Sequence, residues 1–447
     1  MAINLVARAR QDGVKFVCLQ FTDVVGTIKS VDIPVHRLPE VIADGIWFDG
    51  SSVEGFARIQ ESDMLLRADA ATYRVFPWSE PERRRARVFC DVFGADGKPF
   101  DSDPRGALKR ILAKARARGW EFNTGPELEF FLFRRNGGGI HPVPYDTGSY
   151  FDFSARDEAQ RVRNQIISNL IAMGLNVEMG HHEVALGQHE IDFQYAEALT
   201  TADNAVAFKY TVKAVANMHD LTATFMPKPV FGINGSGMHT HMSLFGAPRG
   251  GKRANLFYNP KDEFLLSPLA YSFMAGLIEH ARALAAIVAP SVNSYKRIVP
   301  GYEAPVFVCW AQINRSALIR IPRTTPGKTT GTRIELRFPD PSCNPYLAFA
   351  AMLAAGMDGV DRKLKPPPHV NNVDVYHLKP EEVAARGIPV LPGSLLEALD
   401  ALAKDEVLKN ALGGSLYAAF DRAKREEWDD YRIHVTDWEI ARYLENA

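Results

Sequence analysis

Cysteine is scarce in this chain of 447 residues, and the few cysteines present are far apart. They are Cys18, Cys90, Cys309 and Cys343, so the sequence contains no CxxC metal or redox motif. Isolated cysteines are typical of reduced thiols in a cytoplasmic protein rather than of a disulfide framework. We therefore expect a cytoplasmic location and no structural disulfide.

Uninterrupted apolar segments and an excess of one charge are also missing. The most apolar window, residues 271–290, contains Glu279, His280 and Arg282, whereas a membrane-spanning helix needs about 20 mostly apolar residues. The first residues lack the apolar core of a signal peptide. The formal net charge is -1, which provides no general attraction to nucleic acid or to an anionic membrane. These absences predict a protein with neither a membrane nor a nucleic-acid partner.

The sequence does contain strand and helix patterns that fall into two parts. Apolar runs bounded by turn residues predict strands at residues 15–21, 27–33 and 87–93. Asp103 can cap a helix that has Pro104 in its first turn. We therefore predict a first domain over residues 1–103 and a second domain over residues 104–447.

The second part mixes strands with long helices. Strand patterns occur at residues 127–133, 190–194, 237–245 and 332–338. Helical periodicity occurs at residues 105–118, 156–173, 201–219, 267–288, 345–360, 394–412 and 416–427. Because strands and helices do not alternate regularly, the pattern favours an α+β fold over a doubly wound sheet.

Two glutamates interrupt the apolar strand at residues 127–133. Side chains alternate between the faces of a strand, so Glu127 and Glu129 share one face while Leu128 and Phe130 lie on the other. Unpaired buried carboxylates are costly, and adjacent like charges add to the cost. A bound divalent cation would relieve both costs. The alternative is an edge strand whose acids meet arginine or water.

A second acidic pair flanks a turn. Glu183 and Glu190 lie on either side of Gly187, so both could face one cavity. Three nearby histidines would suit zinc, but the carboxylate-rich surroundings favour a harder ion such as Mg²⁺ or Mn²⁺. Taken alone, the segment could equally be a solvated hairpin.

Two further strands each collect polar groups on one face. The first has His239, His241 and Ser243, and the second has Arg333, Glu335 and Arg337. A His-x-His pair is more often a satisfied core pair than a ligand pair. The arginines could form a structural ion-pair ladder, or they could hold phosphate and carboxylate groups beside a metal.

Cations accumulate in the same part of the sequence. They are Arg297, Arg315, Arg320, Lys328, Arg333 and Arg337. A nearly neutral chain that gathers cations beside carboxylates suits a polyanionic substrate with metals, and a basic surface patch is the alternative. The turn-rich segment at residues 293–305 is too long for a simple connection and is typical of a lid.

Together, and in the same order along almost the whole chain, these segments closely resemble type I glutamine synthetase. The resemblance also includes Phe21-Thr22-Asp23 and the segments at residues 48–52, 61–64 and 339–349. It implies a small N-terminal β-grasp domain and a larger catalytic domain with a curved antiparallel sheet and helices. It also implies a homo-oligomer, a dodecamer of two stacked hexameric rings with each active site between adjacent subunits.

The resemblance assigns roles to individual residues. It places one Mg²⁺ or Mn²⁺ ion on Glu129, Glu183 and Glu190, and a second ion on Glu127, His239 and Glu335. It assigns glutamate binding to Asn234, Gly235, Arg297 and Arg337. It assigns the surroundings of ATP and of the transferring phosphate to Glu178, His241, Ser243, Arg315, Arg320, Lys328 and Arg333.

The implied activity is the ATP-dependent ligation of ammonia to L-glutamate, which gives L-glutamine, ADP and phosphate through γ-glutamyl phosphate. Phosphorylation provides the carboxylate with a leaving group, while metals and arginines such as Arg315 neutralise the phosphoryl charge. Asp49 of a neighbouring subunit would bind ammonium and help to remove a proton. Glu303 would lie on a flap that keeps water from the intermediate.

Some positions bear on regulation or depart from the family pattern. Leu186 stands where many relatives have proline, and we expect little effect. The surroundings of Arg58 resemble the feedback-inhibited branch, in which the matching arginine mediates inhibition by glutamine. Tyr376 matches a tyrosine that another branch adenylylates, but the residues before it differ from that motif, which argues against modification. A nitrogen-regulatory transcription factor is a compatible partner.

Two other functions compete with this hypothesis. A relative could join glutamate to another amine, such as a polyamine or ethanolamine, but the presence of both Asp49 and Glu303 favours ammonia. A non-catalytic structural or regulatory relative would be expected to lose metal ligands, and this sequence retains all those that the family pattern requires.

Overall fold

The computed structural model describes residues 4–53, 55, 63–135, 142–153, 158–247, 251–325, 327–373, 375 and 380–446. Arg58 and Tyr376, the two residues considered for regulation, lie outside the described residues, as do Glu61 and Ser62 of one family segment. Within the described ranges, no helix combines the length and the apolarity needed to cross a lipid bilayer.

The N-terminal part of the chain is built on one mixed sheet. Its strands are β1 (Phe16–Thr22), β2 (Ile28–Pro34), β3 (Ile46–Asp49), β4 (Asp63–Ala68), β5 (Arg74–Val75) and β6 (Arg85–Phe93). The main path runs β2-β1-β6-β4-β3, β5 also pairs with β6, and β1 and β6 are parallel. Helices α1 (Leu5–Gln11) and α2 (Leu38–Asp44) add apolar side chains to the core of this sheet. The three strands predicted here are confirmed to within two residues.

A larger sheet follows and is antiparallel except for one pair of short strands. Its strands are β7 (Trp120–Arg134), β8 (Val143–Pro144), β9 (Val177–His182), β10 (Gln188–Phe193), β11 (Ala196–Glu197), β12 (Leu221–Thr224), β13 (Met238–Gly246), β14 (Ala254–Asn255), β15 (Trp310–Ala311), β16 (Ile319–Arg320) and β17 (Ile334–Leu336). The main path runs β15-β16-β17-β13-β7-β10-β9, and β15 and β16 are parallel. The predicted α+β class is confirmed.

Strand β7 confirms the alternation predicted for residues 127–133. Leu128 and Phe130 are fully buried in the main core, beneath the helices. Phe131 and Phe133 point to the other face and form a small separate cluster with Ala185. The same face carries Glu127 and Glu129, so apolar packing on both faces fixes the direction in which the two carboxylates point.

The helices of the second part are α3 (Pro104–Ala117), α4 (Glu158–Ala172), α5 (Ala198–Met218), α6 (Pro268–Glu279), α7 (Ala281–Val288), α8 (Ser294–Arg297), α9 (Pro345–Asp361), α10 (Pro380–Ala385), α11 (Leu395–Ala403), α12 (Glu406–Leu412), α13 (Gly414–Arg432) and α14 (Asp437–Tyr443). Helices such as α3, α5 and α9 pack in the main core on the inner face of the large sheet. Helix α9 lies at the centre, and glycine allows α6 to cross it closely. A Cβ atom at Gly276 would lie 2.1 Å from the carbonyl oxygen of Ala355.

The prediction that two segments each form one continuous helix is wrong. The segment at residues 267–288 breaks at His280 between α6 and α7, and the segment at residues 394–412 breaks before Asp405. The side chains at these two breaks meet, since Nδ1 of His280 lies 2.6 Å from a carboxylate oxygen of Asp405. Asp405 also caps α12 by accepting a hydrogen bond from the backbone N–H of Leu408.

Direct polar contacts join the N-terminal sheet to the helices of the second part. Asn344 caps α9 and donates from Nδ2 to the backbone carbonyl of Asp23, 3.1 Å away, in the turn after β1. The buried guanidinium of Arg105, in the first turn of α3, forms ion pairs with Asp69, Asp91 and Asp203. Two of these carboxylates belong to the N-terminal part, so its sheet is fastened to the helices that carry the rest of the fold.

Candidate active site

Two adjacent cavities open on the outer face of the large sheet. The first, of about 230 Å³, is called the acidic cavity and is lined by Glu127, Glu129, Tyr150, His181, Glu183, Gln188, Glu190, Asp192, Asn234, Gly235, His239, Arg297, Tyr302, Glu303, Arg315, Arg320, Glu335 and Arg337, among others. The second, of about 420 Å³, is called the adjacent cavity and is lined by Glu127, Glu178, Asp192, Tyr195, His241, Ser243, Lys328, Gly331 and Arg333, among others.

Strand register brings the acids of the acidic cavity together. Glu127 on β7 is paired with His239 on β13, and Glu129 is paired with Glu190 on β10. On the far side of β13, His241 is paired with Glu335 on β17. Residues directly opposite each other on neighbouring antiparallel strands are about 5 Å apart. The polar side chains of four strands that are distant in sequence, β7, β10, β13 and β17, therefore lie close together at the acidic cavity.

Glu127, His239 and Glu335 form the first cluster that could hold a cation, with ligand atoms within 4.8 Å of one another. Nδ1 of His239 lies 3.2 Å from Glu127 and 3.9 Å from Glu335. Burial alone would raise the pKa of Glu127, but the imidazoles of His241 and His239 hold it well below the usual range. An ionised carboxylate beside a histidine is a suitable donor set for a divalent cation.

The second cluster contains Glu183 and Glu190 on the hairpin formed by β9 and β10, together with His181. The two nitrogens of His181 each lie 3.7 Å from one of the two carboxylates. Glu129 faces the same cavity, and burial together with the charge of Glu183 raises its pKa to about 8. Burial also raises the pKa of Glu190 well above its usual value. Such crowding of buried carboxylates is the condition that a bound cation would relieve.

Glu129 is held in position by two donors. Its Oε2 accepts hydrogen bonds from the side-chain amide of Gln188 at 2.8 Å and from the backbone N–H of Gly237 at 2.9 Å. The same amide of Gln188 also donates to the carbonyl of Gly235. Gln188 thus joins the β9–β10 hairpin to the loop that precedes β13.

A buried hydrogen-bond network lies behind the hairpin and was not predicted. Asp146 accepts from Nε2 of His182 at 2.7 Å and from Nε2 of His189 at 3.1 Å. It also accepts from the backbone N–H of Gly187 in the turn. His182 and His189 are the immediate neighbours of Glu183 and Glu190. One carboxylate therefore fixes both strands that present the second cluster.

Arginines also line the acidic cavity, and the part of the lining that they form is called the basic wall. Glu335 forms ion pairs with Arg320 and with Arg337, whose Nε lies 3.2 Å from Oε1. The buried Nη1 of Arg337 has no hydrogen-bond partner among the described residues. Arg297 is buried as well, and it donates to the carbonyls of Phe338 and Arg337. A buried guanidinium with a spare donor is suited to an anionic ligand.

Glycines let the loop before β13 approach these arginines. A Cβ atom at Gly235 would lie 2.1 Å from the carbonyl oxygen of Pro227, and one at Gly237 would lie 2.5 Å from Nη2 of Arg297. A larger residue at Gly235 would therefore require a shift of the backbone, and one at Gly237 would displace the guanidinium of Arg297. The predicted residue Gly235 therefore lies against Arg297, and Asn234 beside it also lines the acidic cavity.

The segment predicted as a lid, residues 293–305, contributes Arg297, Tyr302 and Glu303 to the lining of the acidic cavity, and its residues 299–305 are called the flap. Gly301 and Glu303 both have positive φ angles, 93° and 57°. Glutamate rarely adopts this conformation, which persists only where other contacts support it. One such contact is the hydrogen bond that Asn234 donates from Nδ2 to Oε2 of Glu303 at 3.2 Å.

The adjacent cavity contains most of the residues predicted to surround ATP. His241 donates from Nε2 to Oε1 of Glu127 at 2.6 Å, and Arg333 donates from Nε to Nδ1 of His241 at 3.1 Å. Ser243, Lys328 and Glu178 also line this cavity. Arg320 lines the acidic cavity instead, beside Arg315.

Asp49 lies outside both cavities of its own chain. It is exposed at the end of β3, where its Oδ1 accepts a hydrogen bond from the backbone N–H of Ser51 at 2.8 Å. Sequence reasoning also missed several residues that line the acidic cavity, namely Tyr150, His181, Gln188, Asp192 and Tyr302. A signal existed for His181 and Gln188, because each lies two residues from Glu183 or Glu190 and so shares a face of the hairpin with it.

Comparison with known proteins assigns both parts of the chain. The family model for the glutamine synthetase catalytic domain matches residues 101–443, and the model for the glutamine synthetase β-grasp domain matches residues 13–95. A glutamine synthetase of Thermus thermophilus is 50% identical over 99% of this chain and 98% of its own length. One of Halobacterium salinarum is 50% identical over 97% and 94%, and one of Staphylococcus aureus is 48% identical over 98% and 96%.

Solved structures agree over the full length. A GmaS/ADP complex superposes with a TM-score of 0.89 at 36% identity and covers 99% of both chains. The cryo-EM structure of Plasmodium falciparum glutamine synthetase superposes with a TM-score of 0.86 at 26% identity and covers 98% of both chains. The similarity therefore extends over both sheets and both cavities.

Proposed function

The chain belongs to the glutamine synthetase family, and on that premise we propose how its two cavities divide the reaction between them. The protein is an ATP-dependent glutamate–ammonia ligase whose substrates are glutamate, ammonium and ATP. Glu127 carries the proposal, because it lines both cavities and contacts one histidine that faces each of them. A group on this shared wall can act where a phosphate passes from one cavity to the other.

Divalent cations would bind in the acidic cavity. Glu129, Glu183 and Glu190 would hold one cation, with His181 beside them, and Glu127, His239 and Glu335 would hold the other. The crowded carboxylates and the raised pKa of Glu129 support a cation here. Hard oxygen donors favour Mg²⁺ or Mn²⁺. When bound, the cations would neutralise phosphate charge during transfer.

Glutamate would bind against the basic wall of the acidic cavity. Asn234, Gly235, Arg297 and Arg337 would position it, and the unpartnered Nη1 of Arg337 supports a carboxylate at this point. ATP would occupy the adjacent cavity, where Glu178, His241, Ser243, Lys328 and Arg333 would contact it. The GmaS complex, which contains ADP, supports a nucleotide ligand for this fold.

The chemistry would proceed at the junction of the two cavities. Arg315 and Arg320 would neutralise the γ-phosphate as it moves to the glutamate carboxylate, which gives γ-glutamyl phosphate. Asp49 of a neighbouring subunit would bind ammonium and accept its proton. Ammonia then attacks the acyl carbon and phosphate leaves. Glu303 on the flap would exclude water, whose attack would waste the ATP.

The shared site requires an assembly of several chains. We propose a dodecamer of two hexameric rings, which is supported by the exposure of Asp49 outside the cavities of its own chain. A second support is the C-terminal segment at residues 433–444, where Ile433, Val435, Trp438 and Leu444 are each more than 60% exposed. Apolar side chains exposed in a cluster are typical of a protein interface.

The proposal also covers the domain boundary, the cellular location and the regulation of the enzyme. The domain boundary would lie between residues 103 and 104, which is supported by Asp103, the residue that caps α3. A cytoplasmic location is supported by four buried, unpaired cysteines. The feedback-inhibited branch and a nitrogen-regulatory protein partner remain the expectations from sequence, with Arg58 as the residue to test.

One assay tests the reaction and its amine. Purified protein would be supplied with glutamate, ATP, Mg²⁺ and either ammonium, putrescine or ethanolamine, and the amide product and ADP would be measured together. We expect glutamine with ammonium and little amide with the other amines. The Asp49→Ala variant should lose most of this activity. Equal turnover with putrescine or ethanolamine would support the amine-ligase alternative, and absence of ADP would support a non-catalytic relative.

A further inference from the structure

We infer that Lys228 and Tyr302 form a latch that holds the flap over the acidic cavity and so protects the activated glutamate from water. The inference rests on the proposed role of Glu303 and extends it, because it names the contact that keeps the flap closed. Lys228 is a positioning residue in this scheme, since it acts through the flap and not on the reacting atoms.

Lys228 is fixed before it meets the flap. Its backbone N–H donates to Oδ1 of Asn293 at 2.7 Å, and its backbone carbonyl accepts from Nδ2 of the same asparagine at 3.0 Å. Its Nζ donates to the carbonyl of Ile233, the residue before Asn234. The residue is 8% exposed. The ammonium group therefore has a defined position beside the loop that is proposed to bind glutamate.

Tyr302 provides the other half of the latch. Its ring centroid lies 3.7 Å from Nζ of Lys228. A cation this close to an aromatic face is attracted by the negative charge of the π system, and the attraction is stronger where water is excluded. Tyr302 lies between Gly301 and Glu303, the two flap residues with positive φ angles, so the contact with Lys228 fixes the flap at this point.

The latch and the Asn234–Glu303 hydrogen bond both connect the flap to the same neighbouring segment. Lys228 and Asn234 belong to one short segment, residues 228–234, and each binds one of two adjacent flap residues. The flap is therefore docked on the segment that would position glutamate. Supporting contacts of this kind are what a left-handed glutamate needs in order to persist.

Ammonia and water compete for the acyl carbon of γ-glutamyl phosphate. In the productive step, ammonia forms the C–N bond while the C–O bond to phosphate breaks, and the surplus proton leaves through Asp49. In the wasteful step, water forms a C–O bond instead, glutamate is regenerated, and phosphate and a proton are released. The ratio of ADP formed to glutamine formed therefore measures how well the flap excludes water.

The decisive experiment compares Lys228→Met with Lys228→Arg in the assembled enzyme. ADP and glutamine would be measured in the same reaction with glutamate, ATP, Mg²⁺ and ammonium. We expect a ratio close to one for the native protein and for Lys228→Arg, which retains a cation. Lys228→Met should raise the amount of ADP that is formed without glutamine about threefold to thirtyfold, the range of a lost cation–π contact. An unchanged ratio in a folded Lys228→Met variant would overturn the inference.

The partner residue supplies a second and independent test. Tyr302→Leu removes the ring and should uncouple the reaction, whereas Tyr302→Phe keeps the ring and should not. Tyr302→Leu also carries the test if Lys228→Met does not fold, because Tyr302 is only half-buried. The double variant should be no more uncoupled than the worse single variant, and additive uncoupling would contradict a shared contact.

Glu303→Ala separates the latch from the proposed flap. If Glu303→Ala releases excess ADP while Lys228→Met does not, the latch is wrong and the flap role stands. If neither variant releases excess ADP, the role of Glu303 fails and the latch fails with it. Glutamine synthesis itself is measured in the same assay, so neither result is confused with loss of the basic reaction.

Discussion

Arg333 donates a hydrogen bond from Nε to Nδ1 of His241 across 3.1 Å. A guanidinium can only donate, so Nδ1 accepts, and the proton of the imidazole is on Nε2, 2.6 Å from Glu127. The chain Arg333–His241–Glu127 thus connects the adjacent cavity with the first cation cluster. His241 is fixed in one tautomer by its two partners.

His241→Ala should weaken nucleotide binding. The substitution removes one charge-assisted hydrogen bond from Glu127 and one from Arg333, and each such loss costs about 1.5–3 kcal/mol. We therefore expect the KM for ATP to rise about tenfold or more, with a smaller rise in the KM for glutamate. Steady-state kinetics with each substrate varied in turn checks this, and equal rises in both KM values would count against separate cavities.

Arg337→Lys should selectively weaken glutamate binding. Lysine keeps the charge but lacks the planar set of N–H donors of a guanidinium. One of these donors, Nη1 of Arg337, has no partner among the described residues and is available to a ligand. The KM for glutamate should rise about tenfold to a hundredfold. Arg323→Lys is the matched control, because Arg323 is exposed and outside both cavities. If the control has the same effect, the assignment of Arg337 is wrong.

Asp146→Asn should reduce cation affinity without contacting the cation. Asparagine has the same shape but no negative charge, and its amide cannot accept from His182, His189 and Gly187 together. Loss of a residue that orients metal ligands typically costs tenfold to a hundredfold in affinity, so we expect Mn²⁺ binding to weaken by about tenfold. Titration calorimetry measures this effect. Asp220→Asn, at an exposed turn, should bind Mn²⁺ like the native chain.

His280 should make stability depend on pH. Burial alone would lower its pKa, but hydrogen bonds to Asp405 and Asp358 outweigh burial and raise the pKa above the usual value. The stabilisation is therefore fully present below about pH 6.5, the usual pKa of histidine, and it is lost as the pH rises through the higher value of the folded state. His280→Asn should lower the Tm more at pH 6 than at pH 9. A Tm difference that is independent of pH would show that His280 is neutral in the fold.

Asp49→Ala and Arg337→Ala should complement each other if sites are shared between subunits. Each variant alone should be nearly inactive. In a randomly mixed ring, about one quarter of the sites combine an intact Asp49 from one chain with an intact Arg337 from the next. Co-expressed variants should therefore regain about one quarter of native activity. Activity no greater than that of either variant alone would argue that Asp49 serves its own chain.

The strands of the site were accessible from sequence because their signal is local. Residues 127–133 alternate between acidic and apolar positions, and the observed strand β7 places Glu127 and Glu129 as that alternation predicts. The resemblance then supplied the partners on other strands, and the structure brings the six predicted metal ligands to one cavity. Spacing alone could not have chosen between a cation site and a solvated hairpin.

The features that were missed depend on distant contacts. The break at His280 is stabilised by Asp358 and Asp405, which lie 78 and 125 residues further along the chain. Asp146 supports the hairpin from a segment that shows no pattern of its own. Strand β17 is limited to Ile334–Leu336, although the alternation extended over residues 332–338, because pairing with β13 involves only those three residues.

In the proposed ring, the junction between Asn344 and Asp23 would affect more than one subunit. The sheet that presents Asp49 is tied to the first turn of α9, the helix around which each subunit packs. Loosening this junction would tilt Asp49 away from the subunit that depends on it while leaving the residues of its own cavities in place. The loss of activity would therefore occur at the active site of the adjacent subunit, although the chain with the loosened junction would keep an intact core.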